Sequence, residues 1–264
     1  SEVEVFLKNM FNDPFILGVK SDFWRSVLAS LIVKSRTASA RSNYEKLGGR
    51  SPICSITAAL CERVNELARA KFGAELKFEN AASVSAANEP SQDVSSQSKP
   101  SQEAQTQNEA PQDEKPIDEL ICDYAMNYTP PFAEDVFKKY ADFDEIILMP
   151  LYPHFSKTTV QSSLCSAEAA LKRLGIKNYK TIDIFYDNAA YNEILLNLIA
   201  SCVAKFSADE ISQISLIFSA HSLPIKIITA GDPYEAQVEA HVEILKNLLA
   251  ARGIKFKEII LAYQ

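Results

Sequence analysis

The sequence predicts an α/β protein of two Rossmann-like parallel-sheet domains facing each other across a cleft. Three observations carry that expectation. Short apolar runs alternate with longer stretches of helical periodicity, the order that builds parallel βαβ units. Two of the longer helical stretches stop at a glycine, Gly175 and Gly253, a residue suited to the left-handed turn after a helix. His, Tyr and Pro gather in the loops that follow the apolar runs, while the helices are bland. Open α/β sheets bind ligands beyond the carboxyl ends of their strands.

Taken in order, Glu2 to Phe11 reads as a helix with no strand before it. A parallel domain usually starts on a strand, so one is expected upstream of Ser1. Ile56 to Phe72 reads as a helix, with apolar positions at Ile56, Leu60, Val64, Leu67 and Ala68. Glu119 to Met126 is expected as a strand, Ala133 to Phe143 as a short helix and Glu145 to Pro150 as a buried strand. Ser166 to Leu174 is helical, Thr181 to Tyr186 a strand and Tyr191 to Phe206 a helix. Ile214 to Ser219 reads as a buried strand, Tyr234 to Arg252 as a helix and Glu258 to Tyr263 as a last strand. No covering helix follows that strand, so the second domain is expected to continue past Gln264. A boundary near residues 175–180 would give domains at 1–175 and 176–264.

Residues Ala81 to Pro116 contain no aromatic residue and two valines, Val84 and Val94. Such a segment buries too little apolar surface to offset its ordering entropy. It is expected to be a disordered low-complexity insertion, and long surface insertions cost little. It holds six acidic and two basic side chains, over half of the net charge of −7. That overall charge argues against nucleic acid as the main partner. No apolar run is long enough to span a bilayer, and Ser1-Glu2-Val3-Glu4 does not open a signal peptide. Five cysteines without a CxxC pair fit reduced cytosolic thiols rather than a zinc or iron–sulfur site.

Three loops could carry chemistry: Asn127–Phe132, Leu151–Ser156 and Ala220–Pro224. In parallel sheets all three lie at the same strand edge. Proline stiffens a loop mouth, and tyrosine offers a flat apolar face with a polar tip. A flat, apolar, charge-bearing ligand would suit that rim. His221 follows a strand directly, and neutral imidazole binds borderline metals or exchanges protons near neutral pH. His154 has the same two capacities. His241 sits mid-helix and is expected at a surface or half-buried position with a structural role. Asp232 is placed to cap the helix at Tyr234, with Pro233 in its first turn. Gly48-Gly49-Arg50-Ser51-Pro52 lacks phosphate-loop spacing and reads as a tight turn into a helix. No Ser/His/Asp triad or HExxH is present.

Five motifs occur in the order found in the ferrochelatases, enzymes that insert ferrous iron into a porphyrin. They are Val5–Pro14, Tyr44–Pro52, Leu151–Ser156, Phe185-Tyr186-Asp187, and Ser219–Pro224 with Gly231–Tyr234. Apart from Ala81–Pro116, the chain resembles that family throughout. The resemblance implies that His221 meets the metal and helps remove a pyrrole proton. It also implies that Tyr44, Ser51 and Tyr186 contact the porphyrin or its propionates, and that His154 lines the same cleft. It further implies protoporphyrin IX or a related porphyrin as substrate, Fe²⁺ as the second substrate and no organic cofactor. A cytoplasmic monomer is expected, with room for peripheral contact with a membrane surface. The family's acidic partner for His221 would lie beyond Gln264. Where many relatives carry Arg, this chain has Asn127, which weakens recognition of an anionic group there. A cobalt chelatase of the same fold and a non-catalytic tetrapyrrole or metal carrier are the alternatives.

Overall fold

The computed structural model describes residues 2–46, 48–49, 51–72 and 119–264. The low-complexity segment Ala81–Pro116 lies outside them. The elements run α1 (Glu2–Asn12), α2 (Pro14–Leu17), α3 (Asp22–Lys46), α4 (Ile53–Phe72) and α5 (Ala133–Phe137). A 3₁₀ turn at Lys138–Tyr140 leads to β1 (Ile146–Leu148), and a π-helical turn at Lys157–Gln161 leads to α6 (Ser162–Leu174). β2 (Tyr179–Thr181), α7 (Ala189–Val203), α8 (Ala208–Ile211) and β3 (Ser215–Ala220) follow. The chain continues through α9 (Ile225–Thr229), α10 (Tyr234–Ala251) and β4 (Glu258–Tyr263). Among the described residues no helix is long and apolar enough to cross a membrane.

The described chain groups into two units, one of residues 1–50 with 125–264 and one of residues 51–124. The first unit contains two separate parallel sheets. β1 pairs with β2 from Ile146↔Tyr179 to Leu148↔Thr181, and β3 pairs with β4 from Ser215↔Glu258 to Ala220↔Tyr263. Each pair is joined through a helix, the crossover that parallel strands require. α6 connects β1 to β2, and its buried Ala170 and Leu171 pack with Leu148 and Phe137. α10 connects β3 to β4 and buries Val238, Val242, Leu245 and Leu249. A division near residue 175 would fall between β1 and β2, which hydrogen-bond to one another.

α1 and α3 pack together, and Leu7, Ala29 and Val33 are their buried apolar residues. The buried Arg25 guanidinium ties the α1–α3 turn by donating to the Asn12 carbonyl at 2.6 Å and the Val19 carbonyl at 2.8 Å, and it pairs with Asp22. Asp13 anchors this helical arm to the rest of its unit. Its Oδ1 accepts from the Phe15 amide at 2.7 Å, while Oδ2 accepts from the Tyr128 hydroxyl at 2.7 Å and from Ser162. α3 itself is absent from the sequence reading, because Ser, Thr and Arg recur through its middle and blur the apolar stripe.

In the second unit Glu119–Tyr124 forms no strand, against expectation. The Asn65 side-chain amide takes both ladder groups of Cys122, accepting from its N–H at 2.7 Å and donating to its carbonyl at 2.9 Å. With those groups occupied by a helix side chain, that residue offers nothing to a neighbouring strand. Cys61 lies beside Cys122, and burial, followed by that second thiol, pushes its own thiol up to about 12.

Candidate functional site

β3 delivers His221 to the carboxyl edge of its sheet. The Gln264 amide donates to the Ala220 carbonyl at 2.9 Å, and the Ser222 amide and hydroxyl both donate to the Gln264 carbonyl at 2.8 Å. Backbone pairing therefore continues on both sides of His221, which is itself exposed. Its backbone approaches the Tyr234 hydroxyl at the start of α10.

The loop after β1, Leu151–Ser156, is held by three elements. The Pro153 carbonyl accepts from the Phe185 and Tyr186 amides, each at 3.1 Å, which binds the 185–187 turn to this loop. That pairing replaces the strand expected over Thr181–Tyr186. β2 ends at Thr181, and one further bond, from the Ile182 amide to the Leu148 carbonyl at 2.8 Å, closes the ladder. From α10, Gln237 Oε1 accepts the Phe155 amide at 2.7 Å. Asp232 supplies the third hold. The residue is 4% exposed, and Oδ2 accepts from the Lys157 amide at 2.8 Å and the Ser156 hydroxyl at 3.1 Å. Oδ1 accepts from the Tyr234 amide at 3.1 Å. Asp232 thus braces α10 against the loop as well as bonding the helix start, and Pro233 stands just before the helix rather than in its first turn.

Within this frame His154 stacks on Tyr186, with ring centroids 5.5 Å apart and planes 21° apart, and meets Tyr234 edge-on at 6.0 Å. His154 Nε2 lies 3.0 Å from His241 Nδ1, and His241 Nε2 lies 2.8 Å from Asn192 Oδ1. Asn192 Nδ2 donates to the Tyr186 carbonyl at 3.0 Å, closing the group. His241 is 6% exposed, so the surface or half-buried position expected for it is corrected. Its place was discernible: Val238, Val242, Leu245 and Leu249 form the buried stripe of α10, and position 241 falls inside that stripe. Burial lowers the pKa of both rings. His154 is brought down to about 4, by desolvation first and by the neighbouring His241 second. For His241 desolvation lowers it while Asp187 pulls the other way.

The structure therefore brings His154 and Tyr186 into direct contact, and links His221 to them through Tyr234. Tyr44 is half-buried near the end of α3, where its carbonyl accepts the Gly49 amide at 2.8 Å across two glycines at φ +89° and +91°. Among the described residues no hydrogen bond or ring contact joins Tyr44 to the histidine group. Ser51 belongs to the second unit, where its hydroxyl accepts the Ile53 amide at 3.3 Å before α4. Among the described residues no group of three or more His, Cys, Asp or Glu side chains is arranged to hold a metal ion. The Asn127 amide donates to the Ser162 hydroxyl at 2.9 Å.

A family model described as ferrochelatase matches residues 1–97 and 78–264. The chain belongs to the ferrochelatase family. It is 46% identical over 265 residues to a ferrochelatase of Campylobacter fetus subsp. fetus, covering 100% of this chain and 68% of that protein. It is 40% identical over 264 residues to one of Campylobacter concisus, covering 100% of this chain and 67% of the relative. A Helicobacter pylori ferrochelatase is 36% identical over 267 residues, covering 100% and 64% respectively. An α/β ferrochelatase fold accounts for the two parallel strand pairs.

Asp232→Asn turns an NH₂ donor toward the Ser156 and Lys157 donors. It is expected to cost about 2–3 kcal/mol, read as a lower urea midpoint at unchanged slope; a wild-type midpoint would contradict the brace. The pH dependence of stability has a definite sign. An unfolded histidine titrates near 6.5 and folded His154 at about 4, so the unfolded state binds more protons between them. Stability contributed by the neutral ring is present above that window and is lost as pH falls through it. His154→Gln should flatten this part of the profile in urea titrations, and an unchanged profile would contradict it.

Proposed function

We propose that this chain carries out the ferrochelatase reaction, inserting Fe²⁺ into protoporphyrin IX or a closely related porphyrin to form haem. Iron bonds the four pyrrole nitrogens, two N–H bonds break and two protons leave, so charge balances without a redox step. Such a reaction needs a group that meets the metal and accepts protons near neutral pH, and imidazole has both capacities. His221 takes that role. The observation that carries the reading is the exposure of His221 at the carboxyl end of β3, with its backbone pinned on both sides. Side chains that bind substrate are most useful on rigid strand ends of an α/β sheet. The name ferrochelatase, shared by the relatives described above, favours iron over cobalt.

Tyr186 and His154 offer a stacked pair of flat rings suited to the face of a macrocycle. Tyr44 and Ser51 supply further polar contacts, and the two strand pairs belong to domains on either side of the porphyrin. No organic cofactor takes part, and the protein acts as a cytoplasmic monomer. Phe23, Trp24 and Leu31 on α3 are each more than 60% exposed, which supports peripheral contact with a lipid surface from which a poorly soluble porphyrin is taken.

His221→Ala in the full-length protein is expected to abolish conversion of free-base to metalloporphyrin absorption while porphyrin binding, followed by fluorescence quenching, survives. Near-normal turnover of this variant would overturn the assignment.

A further inference from the structure

The direction of every hydrogen bond in the His154–His241–Asn192 group follows from one fact. The Tyr186 carbonyl can only accept, so the Asn192 atom 3.0 Å from it is the amide nitrogen. Asn192 Oδ1 therefore faces His241 and can only accept, which requires a proton on His241 Nε2. A neutral His241 then has a bare Nδ1, and the His154 nitrogen 3.0 Å away must donate to it. His154 carries its one proton on Nε2, and its lone pair is left on Nδ1. The cost of charging either ring in this buried place keeps both neutral.

The ferrochelatase reading gives that lone pair a use. Two pyrrole protons must leave for each iron inserted, and one imidazole accepts one proton at a time. We propose that His241 is a positioning residue for iron insertion, holding His154 as the Nε2–H tautomer so that its Nδ1 accepts one of the two departing pyrrole protons. The pyrrole N–H bond breaks, its electron pair stays on nitrogen to bond the metal, and the proton joins His154 Nδ1. The resulting cation is shared through Nε2–H with His241. Because the buried pair disfavours charge, the proton passes on to water and the acceptor resets. This inference rests on the ferrochelatase reading; His221 keeps its contact with the metal. Without His241, nothing in the group dictates which nitrogen of His154 holds the proton. Partners that fix the tautomer of a metal-bound histidine are typically worth roughly 10–100-fold, and a proton-accepting histidine held in the same way is expected on that scale.

The test compares the full-length wild type with His241→Leu and His241→Gln. Leu removes the acceptor; Gln restores an acceptor and a donor spaced like the two imidazole nitrogens. Nitrogen-15 NMR of histidine-labelled protein should show His154 as Nε2–H in the wild type and in His241→Gln, and as a tautomer mixture in His241→Leu. In parallel, kcat for iron insertion should fall roughly 10–100-fold in His241→Leu with the porphyrin KM within about twofold of wild type, and His241→Gln should restore most of it. An Nδ1–H tautomer in the wild type would overturn the proposal, whether or not the variants fold. So would wild-type kcat in His241→Leu. A wild type that inserts no metal but shows the Nε2–H tautomer would instead count against the ferrochelatase reading.

Discussion

One buried carboxylate organises the site. Asp232 accepts from the Ser156 hydroxyl, the Lys157 amide and the Tyr234 amide, and it is almost wholly withdrawn from water. A carboxylate in that setting is tolerable because its lone pairs are met by donors. It fastens two segments more than 70 residues apart in sequence. Beyond it, Gln237 and His241 continue along α10 at helical spacing, and each meets the same loop. The helix start thus works as a ruler laid against the strand-end loop, with three polar contacts setting its register.

The need for such a brace follows from the sheets. β3 and β4 share six paired positions, so His221 inherits its position from a long ladder. β1 and β2 share three, and the ladder ends one bond later at Ile182. A strand pair that short cannot aim the six-residue loop Leu151–Ser156. The Pro153 carbonyl with its two amide donors, and the Asp232 carboxylate, supply what the ladder lacks. Tyr186 and His154 then stack because both are carried on segments tied to Pro153 or its neighbours. Tyr234, touching His154 with its ring and lying beside the backbone of His221, connects the two histidine-bearing loops.

Much of this frame can be read from local pattern. β4 matches its apolar run, β3 is displaced by one residue, and α10 ends one residue short of the expected Arg252. The apolar runs reveal the two strands, and the buried stripe of α10 reveals the helix. What period cannot reveal is a side chain that competes for backbone groups. Residues 119–124 have the composition of a strand, yet Asn65 occupies Cys122 from a helix 57 positions away. Asp232 looks like a simple helix cap for the same reason: Ser156 and Lys157 are invisible as its partners in sequence. Strand-end placement and motif order single out His221, His154 and Tyr186, and the structure stacks His154 on Tyr186. His241 was hidden by its polarity inside an apolar stripe, although that stripe marked it as buried. Tyr44 and Ser51 rest on motif resemblance, since no contact links Tyr44 to the histidine group and Ser51 lies in the other unit.

The central claim is that this brace presents His221 and the Tyr186–His154 pair to one flat ligand. The most direct measurement is a crystal structure of the full-length protein with metal-free porphyrin bound. The macrocycle should contact both His221 and the stacked pair, with the Asp232 hydrogen bonds to Ser156 and Lys157 intact. A porphyrin seated away from either histidine, or a loop detached from Asp232 in the complex, would contradict it.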